Sequence, residues 1–337
     1  MGGVGGGRLW AITSYYNPVA NIQRLPNYKL FRANLGIPLV TVELSFDGRF
    51  ELEKHDADIL IQISGAAVLW QKERLLNLAL KAVPAETEHI AWLDCDVIFK
   101  RKDWAVGAKT QLQDLNVLQL FSEVVFTNSG DHIGRIQVQD GAKVPGLLSL
   151  ANAKNLITIG STIGKKVVRY APGFAWAAKR SIVANHCFYD AGIVGGGDSL
   201  LAAAALGQHE LISRRYSFNE ARRRHYFKWA IPFYKSVAGR IGHFGGIIFH
   251  LKHGEVENRG YAERQRSFAT FDFDPDIDLT IGQNGAWHWA RPRPDLEDFL
   301  KSYFIRRAEG ENRADAGQGP HGRTTRPADP ISTSSVG

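Results

Sequence analysis

Short apolar runs alternate with segments of helical pattern along the N-terminal part of the chain. Strands are predicted at Leu9–Ser14, Pro38–Leu44 and Ile59–Ile63, with helices at Asn27–Leu35 and Gln71–Ala82 between or after them. Such a strand–helix–strand rhythm produces a sheet of mostly parallel strands with helices on both faces. The pattern therefore predicts an α/β fold, whose ligand site lies at the carboxyl ends of the strands.

The stretch His89–Phe99 is predicted to be a buried strand that ends with two carboxylates. Asp94 and Asp96 interrupt its apolar run. Because side chains alternate along a strand, we expect both carboxylates to point to the same side. Two neighbouring anions need a cation, a proton or backbone donors, and a divalent metal that carries a diphosphate is one such cation. The alternative is a strand end whose acids cap a turn.

Composition indicates one large globular domain. The chain has 337 residues, of which 44% are hydrophobic and 22% charged. We predict a flexible tail at residues 1–8, a domain at residues 9–305, and a disordered tail at residues 306–337, where no apolar period remains. The glycines before the first strand cannot form a phosphate-binding loop, since that loop follows a strand.

Cysteine content and hydropathy both favour a cytoplasmic protein. The two cysteines, Cys95 and Cys187, provide neither a disulfide framework nor a zinc quartet, which fits a reducing compartment. No apolar run approaches the roughly 20 residues of a membrane span, and the N-terminus lacks the order of a signal peptide. The net charge of +7 favours an anionic partner: nucleic acid, a phosphate-bearing small molecule or a lipid headgroup.

Two loops carry further candidates for ligand contact. Tyr15 and Asn17 follow the first strand, where a tyrosine could stack on a base or be an ordinary surface aromatic. Farther on, a strand at Pro172–Ala178 and a glycine-rich segment precede a helix from Ser199 to Leu206. Asp198 stands at the beginning of that helix, either as its N-cap or as a general base. We place residues 122–170 only as a variable insertion.

The segment Ile212–Phe249 mixes cations with aromatic side chains, a composition that suits nucleic acid, a lipid surface or a phosphorylated acceptor. Arg222, Arg223 and Arg224 are its densest cluster, and a solvated helix face is the alternative. His250 and His253 then follow at a spacing that converges in a helical turn or a bend. Two imidazoles with a carboxylate suit manganese or zinc better than calcium.

Four of these segments together resemble the glycosyltransferases of the GT-A fold, and among them the β-1,4-galactosyltransferase type. Trp70–Asn77 is similar to the family helix motif Phe-Asn-Arg-Ala-x-Leu-Leu-Asn, and Asp94–Asp96 is similar to its Asp-Val-Asp. Gly173–Trp176 resembles its Gly-Gly-Val-Ser strand, and Ile193–Asp198 its Trp-Gly-Trp-Gly-Gly-Glu-Asp-Asp segment, without the tryptophan. His250–His253, followed by Asn258 and Arg259, resembles its metal-binding Met-x-x-His.

The resemblance implies a fold, a reaction and a set of site residues. It implies a GT-A fold with a single Rossmann-like sheet, and inverting transfer of a hexose or N-acetylhexosamine from a nucleotide-diphosphate sugar, most simply a UDP-sugar. The acceptor would be a glycan, a lipid-linked molecule or a protein, and peripheral membrane contact through the basic segment stays open. Mn²⁺, or Mg²⁺, would be held by Asp96, His250 and His253, and Asp198 would be the catalytic base. The donor would be bound by Tyr15, Asn17, Lys72, Asn77, Asp94, Asp96, Trp176, Gly196 and Gly197.

Three alternatives use some of the same residues. A retaining glycosyltransferase or a sugar nucleotidyltransferase also needs paired aspartates and a metal. A nucleic-acid-binding module would use the basic segment, and its binding would weaken steeply with salt. We expect no nucleic acid partner, because that module leaves Asp94, Asp96 and both histidines unexplained.

Overall fold

The computed structural model describes residues 8–127, 142–154, 162–163, 166–167, 169–252 and 261–315. Its strands are β1 (Arg8–Tyr16), β2 (Leu39–Ser45), β3 (Ile59–Ser64), β4 (Thr87–Leu93), β5 (Val97–Phe99), β6 (Val117–Gln119), β7 (Glu123–Phe126), β8 (Lys143–Pro145), β9 (Thr162–Ile163), β10 (Lys166–Val167), β11 (Ala175–Lys179), β12 (Ile241–His243), β13 (Ile247–His250), β14 (Leu279–Ile281) and β15 (Trp287–Trp289). Its α-helices are α1 (Arg24–Leu35), α2 (Lys72–Ala82), α3 (Trp104–Gln111), α4 (Leu147–Lys154), α5 (Arg180–His186), α6 (Gly197–Ala205), α7 (His209–Arg215), α8 (Glu220–Val237), α9 (Tyr261–Phe268), α10 (Pro275–Asp278) and α11 (Pro294–Asp315). A short 3₁₀ turn lies at Lys54–Asp56.

A seven-stranded sheet with the order β12-β6-β11-β4-β1-β2-β3 forms the centre of the described structure. The pairs β1–β2, β2–β3, β1–β4 and β6–β12 are parallel, whereas β11 is antiparallel to both of its neighbours. The prediction of a mostly parallel α/β sheet is therefore confirmed. Strands β1, β2 and β3 match the predicted runs to within two residues, because each run is apolar and is bounded by polar or turn residues.

Apolar layers cover both faces of this sheet. One layer joins helices α2, α5, α6 and α8 to the sheet through residues such as Leu76, Val183 and Phe233. The other joins α1 and α3 to the opposite face through residues such as Phe31 and Ala108. Burial on both faces explains why the central strands have almost continuous apolar sequences. It also holds the carboxyl ends of β1 and β4 in fixed positions.

A smaller sheet with the order β5-β13-β7-β8 lies beside this edge and corrects two predictions. Asp94 and Asp96 belong to the tight turn between β4 and β5, not to a continuous strand, so strand alternation does not set their directions. His250 ends strand β13 and does not lie in a helical turn, because Ile247–His250 pairs with both β5 and β7. The other predicted geometry, a bend between His250 and His253, involves a residue outside the described ranges. The main-chain oxygen of Asp96 accepts a 2.9 Å hydrogen bond from the Leu251 amide, which joins the turn to the end of β13.

Two further segments differ in part from the sequence-based boundaries. The predicted insertion at residues 122–170 contributes β7, β8 and α4 to the described structure, and its residues 128–141 lie outside the described ranges. Helix α11 continues through Asp315, so the first residues of the predicted C-terminal tail are helical. Residues 1–7, 253–260 and 316–337, which include His253, Asn258 and Arg259, are also outside the described ranges. Among the described helices, none has the length and apolar character needed to cross a bilayer.

Candidate functional site

A cavity of ≈ 770 Å³ lies at the carboxyl ends of β1 and β4. The chain leaves β1 toward β2 on one side and returns to β4 on the other side, which is the switch point where open α/β sheets bind ligands. The predicted site residues that line this cavity are Asn17, Lys72, Asp94, Asp96, Gly196, Asp198 and His250. Folding therefore brings together residues from five separate parts of the chain.

Lys72 joins two of the predicted carboxylates. Its Nζ lies 2.6 Å from Asp94 Oδ1 and 2.9 Å from Asp198 Oδ2, and its side chain is 11% exposed. The residue is the first of α2, and that helix is held against the sheet by its apolar face. Burial lowers the pKa of Lys72, but the charges of Asp198 and Asp94 outweigh burial and hold it well above its usual value. Lys72 is therefore a permanent cation between two acids.

Asp94 remains costly to ionise in spite of this ion pair. Burial raises the pKa of its carboxyl to about 6, and the negative charges of Asp198 and Asp96 act in the same direction, while Lys72 opposes them. The turn itself is held in place because the Asp94 amide donates a 2.8 Å hydrogen bond to the main-chain oxygen of Phe174. The site thus has more negative than positive charge next to Asp94, as a binding site for a cation would.

Asp96 and His250 form a second pair in the same cavity. His250 Nε2 lies 3.8 Å from Asp96 Oδ1, and both side chains are buried. The imidazole is held between aromatic rings, with ring centroids 5.3 Å from Phe126 and 4.9 Å from Phe174. His250 is the last residue of β13, and Asp96 directly precedes β5. Their relative position therefore depends on the pairing of β5 with β13.

This pair can supply two ligands to a divalent metal. A carboxylate oxygen and a neutral imidazole nitrogen both suit Mn²⁺, and Mg²⁺ sites commonly add phosphate oxygens and water to one or two carboxylates. Within the described residues there is no group of three or more His, Cys, Asp or Glu that could hold a metal alone. His253, the third predicted ligand, lies outside those residues. The described donors therefore fit a metal whose remaining ligands come from elsewhere, including a bound phosphate.

Asp198 lies inside the first turn of α6 and is not its N-cap. The helix begins at Gly197, and Gly196, with φ 91°, occupies the N-cap position without a side-chain hydrogen bond. The carboxylate instead accepts two hydrogen bonds from Lys72 and faces the cavity. It also packs against Gly173, where an added Cβ would lie 2.6 Å from Asp198 Oδ2. A capping role therefore does not explain this acid.

Glu73 is a buried acid that the sequence analysis missed. Its side chain is 6% exposed and lies against Gly197, where an added Cβ would be 2.0 Å from Glu73 Oε1. Burial raises the pKa of Glu73 to about 8, although Lys72 opposes that shift, and Asp198 adds to it. In the sequence Glu73 is an ordinary acid in the first turn of a helix. Its contact with the beginning of α6 places it behind the cavity wall, as a support for the turn that leads to Asp198.

Arg24 is a second residue that the sequence analysis missed. It begins α1, lines the cavity, and stacks near the rings of Tyr15 and Tyr16, with its guanidinium carbon 5.7 and 5.8 Å from their centroids. Burial lowers the pKa of Arg24, but Cys95 and Asp96 reverse that effect and raise it. Its buried Nε has no hydrogen-bond partner among the described residues. Arg24 therefore offers a donor group beside the Asp94–Asp96 turn.

Tyr15 and Asn17 have different positions although both follow β1 closely. The hydroxyl of Tyr15 donates a hydrogen bond to Glu51, and its ring is buried edge-on against Tyr28, so it does not line the cavity. Its neighbour Tyr16 does. Asn17 lines the cavity, and its amide donates to Glu51 at 2.9 Å.

Three other predicted donor contacts lie behind the cavity wall. The amide of Asn77 bridges Phe188 and Asp190 at 2.7 to 3.0 Å, which places it within the protein interior. Trp176 is 1% exposed, and its indole donates to the Pro172 carbonyl at 2.8 Å. Gly197 faces Glu73. These positions indicate supporting contacts and no direct contact with a ligand in the cavity.

Trp70 is an aromatic residue of the cavity that precedes α2. Its ring lines the cavity and stacks on Phe304 with an interplanar angle of 7°. An added Cβ at Gly195 would lie 3.1 Å from this ring, so Trp70 packs directly on the glycine-rich turn. Trp70 therefore gives the cavity an aromatic surface next to the glycine-rich turn.

The three consecutive arginines of the basic segment make contacts within the protein. Arg222 is 5% exposed and lies between Phe218 and Phe268, at 4.1 and 4.5 Å from their ring centroids. Arg223 pairs with Glu210, and Arg224 lies 3.7 Å from Asp274. The Arg222 contacts are those of a core residue. These positions do not favour the prediction that the cluster binds an anionic partner.

Comparisons with known proteins give only distant structural similarity. No family model and no curated protein matches the sequence. The catalytic domain of Drosophila β1,4-galactosyltransferase 7 is 9% identical, with a TM-score of 0.37 over 87% of this chain and 98% of that one. Glucosyl-3-phosphoglycerate synthase from Mycobacterium tuberculosis, in complex with Mn²⁺ and UDP-glucose, is 12% identical, with a TM-score of 0.36 over 84% and 86%.

A third solved structure is 4-diphosphocytidyl-2C-methyl-D-erythritol synthase from Anaerococcus prevotii. It is 12% identical, with a TM-score of 0.32 over 78% of this chain and 97% of that one. Similarities of this size leave the substrate and the chemistry open. Both have to be inferred from the residues of the cavity.

Proposed function

We propose that the protein is a metal-dependent glycosyltransferase that moves a hexose or N-acetylhexosamine from a nucleotide-diphosphate sugar to a hydroxyl acceptor, with inversion. A UDP-sugar is the first donor to test. The observation that carries the proposal is the content of one cavity: an Asp96–His250 pair beside an Asp94–Lys72–Asp198 group, at the switch point of a parallel sheet. Each group has a separate task in such a transfer.

Asp96 and His250 would hold Mn²⁺ or Mg²⁺, with His253 as the proposed third protein ligand. The metal, when bound, supplies positive charge to the diphosphate that leaves the sugar. Arg24 lines the same part of the cavity, and its Nε would donate to a phosphate oxygen. Charge-assisted hydrogen bonds of this kind fix both the position and the charge of a phosphate.

Asp94 would accept hydrogen bonds from the ribose or from the donor sugar. Lys72 keeps that carboxylate ionised by its 2.6 Å contact, and it holds the carboxylate in one orientation. The indole of Trp70 would pack against the apolar face of a sugar ring in the same cavity. These contacts orient the anomeric carbon toward Asp198.

Asp198 would act as the general base of a single displacement. The acceptor oxygen forms a bond to the anomeric carbon while the bond from that carbon to the diphosphate oxygen breaks. The acceptor proton passes to Asp198, and the nucleoside diphosphate leaves with the bonding electrons. Gly173 permits the carboxylate to lie close to the backbone, so its position is closely defined. Asp190, another acid on the segment that leads to α6, is held by Arg74 at 3.1 Å and by Asn77, and does not line the cavity.

A retaining transferase and a sugar nucleotidyltransferase remain the alternatives within enzymes. The former would give a product with the donor's anomeric configuration, and the latter would release pyrophosphate. A nucleic-acid-binding module is disfavoured, because it leaves the Asp96–His250 pair unexplained and because Arg222, in the basic segment that it would use, is buried. Cytoplasmic location and membrane contact stay predictions.

The decisive experiment is a panel of nucleotide sugars measured with and without Mn²⁺. We expect at least one donor to raise the melting temperature, because a ligand that binds only the folded state stabilises it by RT ln(1 + [L]/Kd). Slow hydrolysis of the same donor, followed by NMR of the released sugar, reports the configuration at the anomeric carbon.

Variants connect this result to the metal pair. Asp96→Asn and His250→Ala should remove the Mn²⁺-dependent part of the shift and the hydrolysis. Asp114→Asn, which changes an exposed acid outside the cavity, is the matched control. Hydrolysis at the wild-type rate in EDTA would refute the metal assignment, and the absence of a shift with every donor would refute the proposed function.

A further inference from the structure

The described lining of the cavity contains more cations than the proposed donor site uses. Among the residues that the structure describes, six cationic side chains line the cavity, together with the three carboxylates of Asp94, Asp96 and Asp198. A divalent metal and the two negative charges of a sugar diphosphate cancel, so binding of both leaves the charge balance of these described side chains unchanged. Lys72 and Arg24 belong to the groups described above. The others are Arg169, Arg215, Arg264 and Arg266.

Several of these arginines belong to elements that pack on the glycine-rich turn leading to Asp198. An added Cβ at Gly195 would lie 3.4 Å from Arg264 Nη2, and one at Gly196 would lie 3.0 Å from the ring of Tyr216, the residue after Arg215. Gln265, between Arg264 and Arg266, donates a 2.9 Å hydrogen bond to the Gly195 carbonyl. The C-terminal end of α7 and helix α9 therefore meet at this turn, beside the proposed base.

Burial and solvent access divide the arginines into two kinds. Arg264 is 6% exposed and is held by the hydroxyl and ring of Tyr303, so its position is fixed. Arg169 and Arg215 are exposed at the cavity, and neither makes a hydrogen bond or an ion pair with a side chain in the described ranges. An exposed guanidinium group that lines a cavity, and that makes no such contact in the described part of the chain, can bind an anion.

We propose that the acceptor is anionic and carries a phosphate or carboxylate group that Arg215, with Arg264 and Arg266, binds beside the hydroxyl that reacts. This inference rests on the proposed function, because it assumes that the metal end of the cavity holds the donor. The sequence analysis assigned anion binding to Arg222, Arg223 and Arg224. The proposal assigns it instead to Arg215, which belongs to the same basic segment. Planar guanidinium groups suit both anions, since each can form paired hydrogen bonds.

The test uses matched probes with the donor end already filled. The nucleoside diphosphate that stabilises the protein most is added at saturation with Mg²⁺. Glucose 6-phosphate, glycerol 3-phosphate and glucuronate are then titrated calorimetrically beside their neutral parents glucose and glycerol. We expect at least one anionic probe to bind about tenfold or more tightly than its neutral parent, the scale of one or two hydrogen bonds to a charged group. The advantage should shrink as salt is raised.

Arg215→Gln should remove about five- to tenfold of this advantage and leave binding of the neutral parent and of the nucleotide unchanged. Arg215→Lys should restore part of it. Arg214→Gln is the matched control, because Arg214 is the exposed neighbour in α7 and does not line the cavity. The phosphate and carboxylate probes separate the two chemical classes, since only the true class should depend on Arg215.

Two failures can be told apart. If the nucleotide binds in an Asp96-dependent way, but no anionic probe exceeds its neutral parent or Arg215→Gln behaves like Arg214→Gln, the anionic acceptor is refuted and the transferase survives. If no nucleotide diphosphate binds the wild-type protein, the proposed function is refuted and the acceptor inference with it.

Discussion

Two groups of carboxylates in this protein have very different surroundings. Asp278 is fully buried and accepts hydrogen bonds from Arg291 and Arg293 at 2.6 Å each, and from the Asp274 amide at 2.9 Å. Burial raises the pKa of Asp278, but these donors outweigh it, and the pKa is lowered. Two arginines therefore neutralise this single carboxylate.

The cavity group has the opposite balance. Lys72 serves both Asp94 and Asp198, with Asp96 close by, and the pKa of Asp94 is raised to about 6 mainly through burial. An acid that several donors hold in the protein interior is typical of a structural ion pair, whereas two carboxylates that share one lysine at the end of a cavity can bind a further cation. We therefore expect Asp278 to act on stability and the cavity acids to act on ligand binding, and substitutions can test this difference.

The largest effect is expected for Asp198→Asn. An amide has the same shape but cannot take a proton at neutral pH, so we expect the transfer rate to fall by about a hundredfold or more. The Kd of the donor should stay unchanged, because the acid acts on the acceptor, and kinetics with parallel donor titration would measure both. Ser199→Ala, at the adjacent cavity residue, is the control. An unchanged rate would make Asp198 structural.

Asp278→Ala should act on stability and not on the site. Removal of this carboxylate leaves Arg293, which is 11% exposed, without its buried partner. We expect the free energy of unfolding to fall by about 2–4 kcal/mol in urea titrations. Nucleotide affinity should not change. Asp298→Ala, at an exposed position of α11, is the control. Equal effects of the two variants on the free energy of unfolding would contradict the structural role of Asp278.

Glu73→Gln should make the pH dependence of stability shallower. The folded pKa of Glu73 is about 8, above that of the unfolded chain, so its protonated form stabilises the fold at low pH, and this contribution is lost as pH rises toward 8. The glutamine variant should therefore gain about 1–3 kcal/mol over wild type between pH 5 and pH 8. Urea unfolding at several pH values measures the difference. Glu88→Gln removes an exposed carboxyl and is the control; parallel curves for wild type and Glu73→Gln would contradict the assignment.

The smallest effect is expected for Arg222→Ala. Loss of the packing between Phe218 and Phe268 should cost about 1–2 kcal/mol of unfolding free energy, measured in urea. Binding of anionic probes should be unaffected. Lys228→Ala, an exposed cation of the same helix, is the control. If the variant were as stable as wild type but bound anions more weakly, the result would support the prediction that Arg222 contacts an anionic acceptor or a membrane surface.

Local sequence was sufficient to predict the sheet and its edge. Strands β1, β2 and β3 are apolar because both faces are covered, and their alternation with amphipathic helices encodes a parallel sheet before any contact is known. The same pattern placed Asp94 and Asp96 at the carboxyl edge, and it placed Asp198 at the beginning of a helix. It could not predict that Asp94 and Asp96 occupy a turn and face different partners, since a one-residue change in strand length reverses a side chain's direction.

The sequence by itself determined which chemical groups the chain carries and that an α/β sheet would present them at one edge. Only the tertiary structure decided which of them meet. Lys72 reaches Asp198 across 126 positions, Glu73 packs on Gly197, and Arg222 is buried while Arg215 lines the cavity. The physical reason is that burial and ion pairing depend on contacts between distant segments, whereas periodicity reports only on near neighbours. Partner choice, and with it the pKa and the function of each charge, follows from packing.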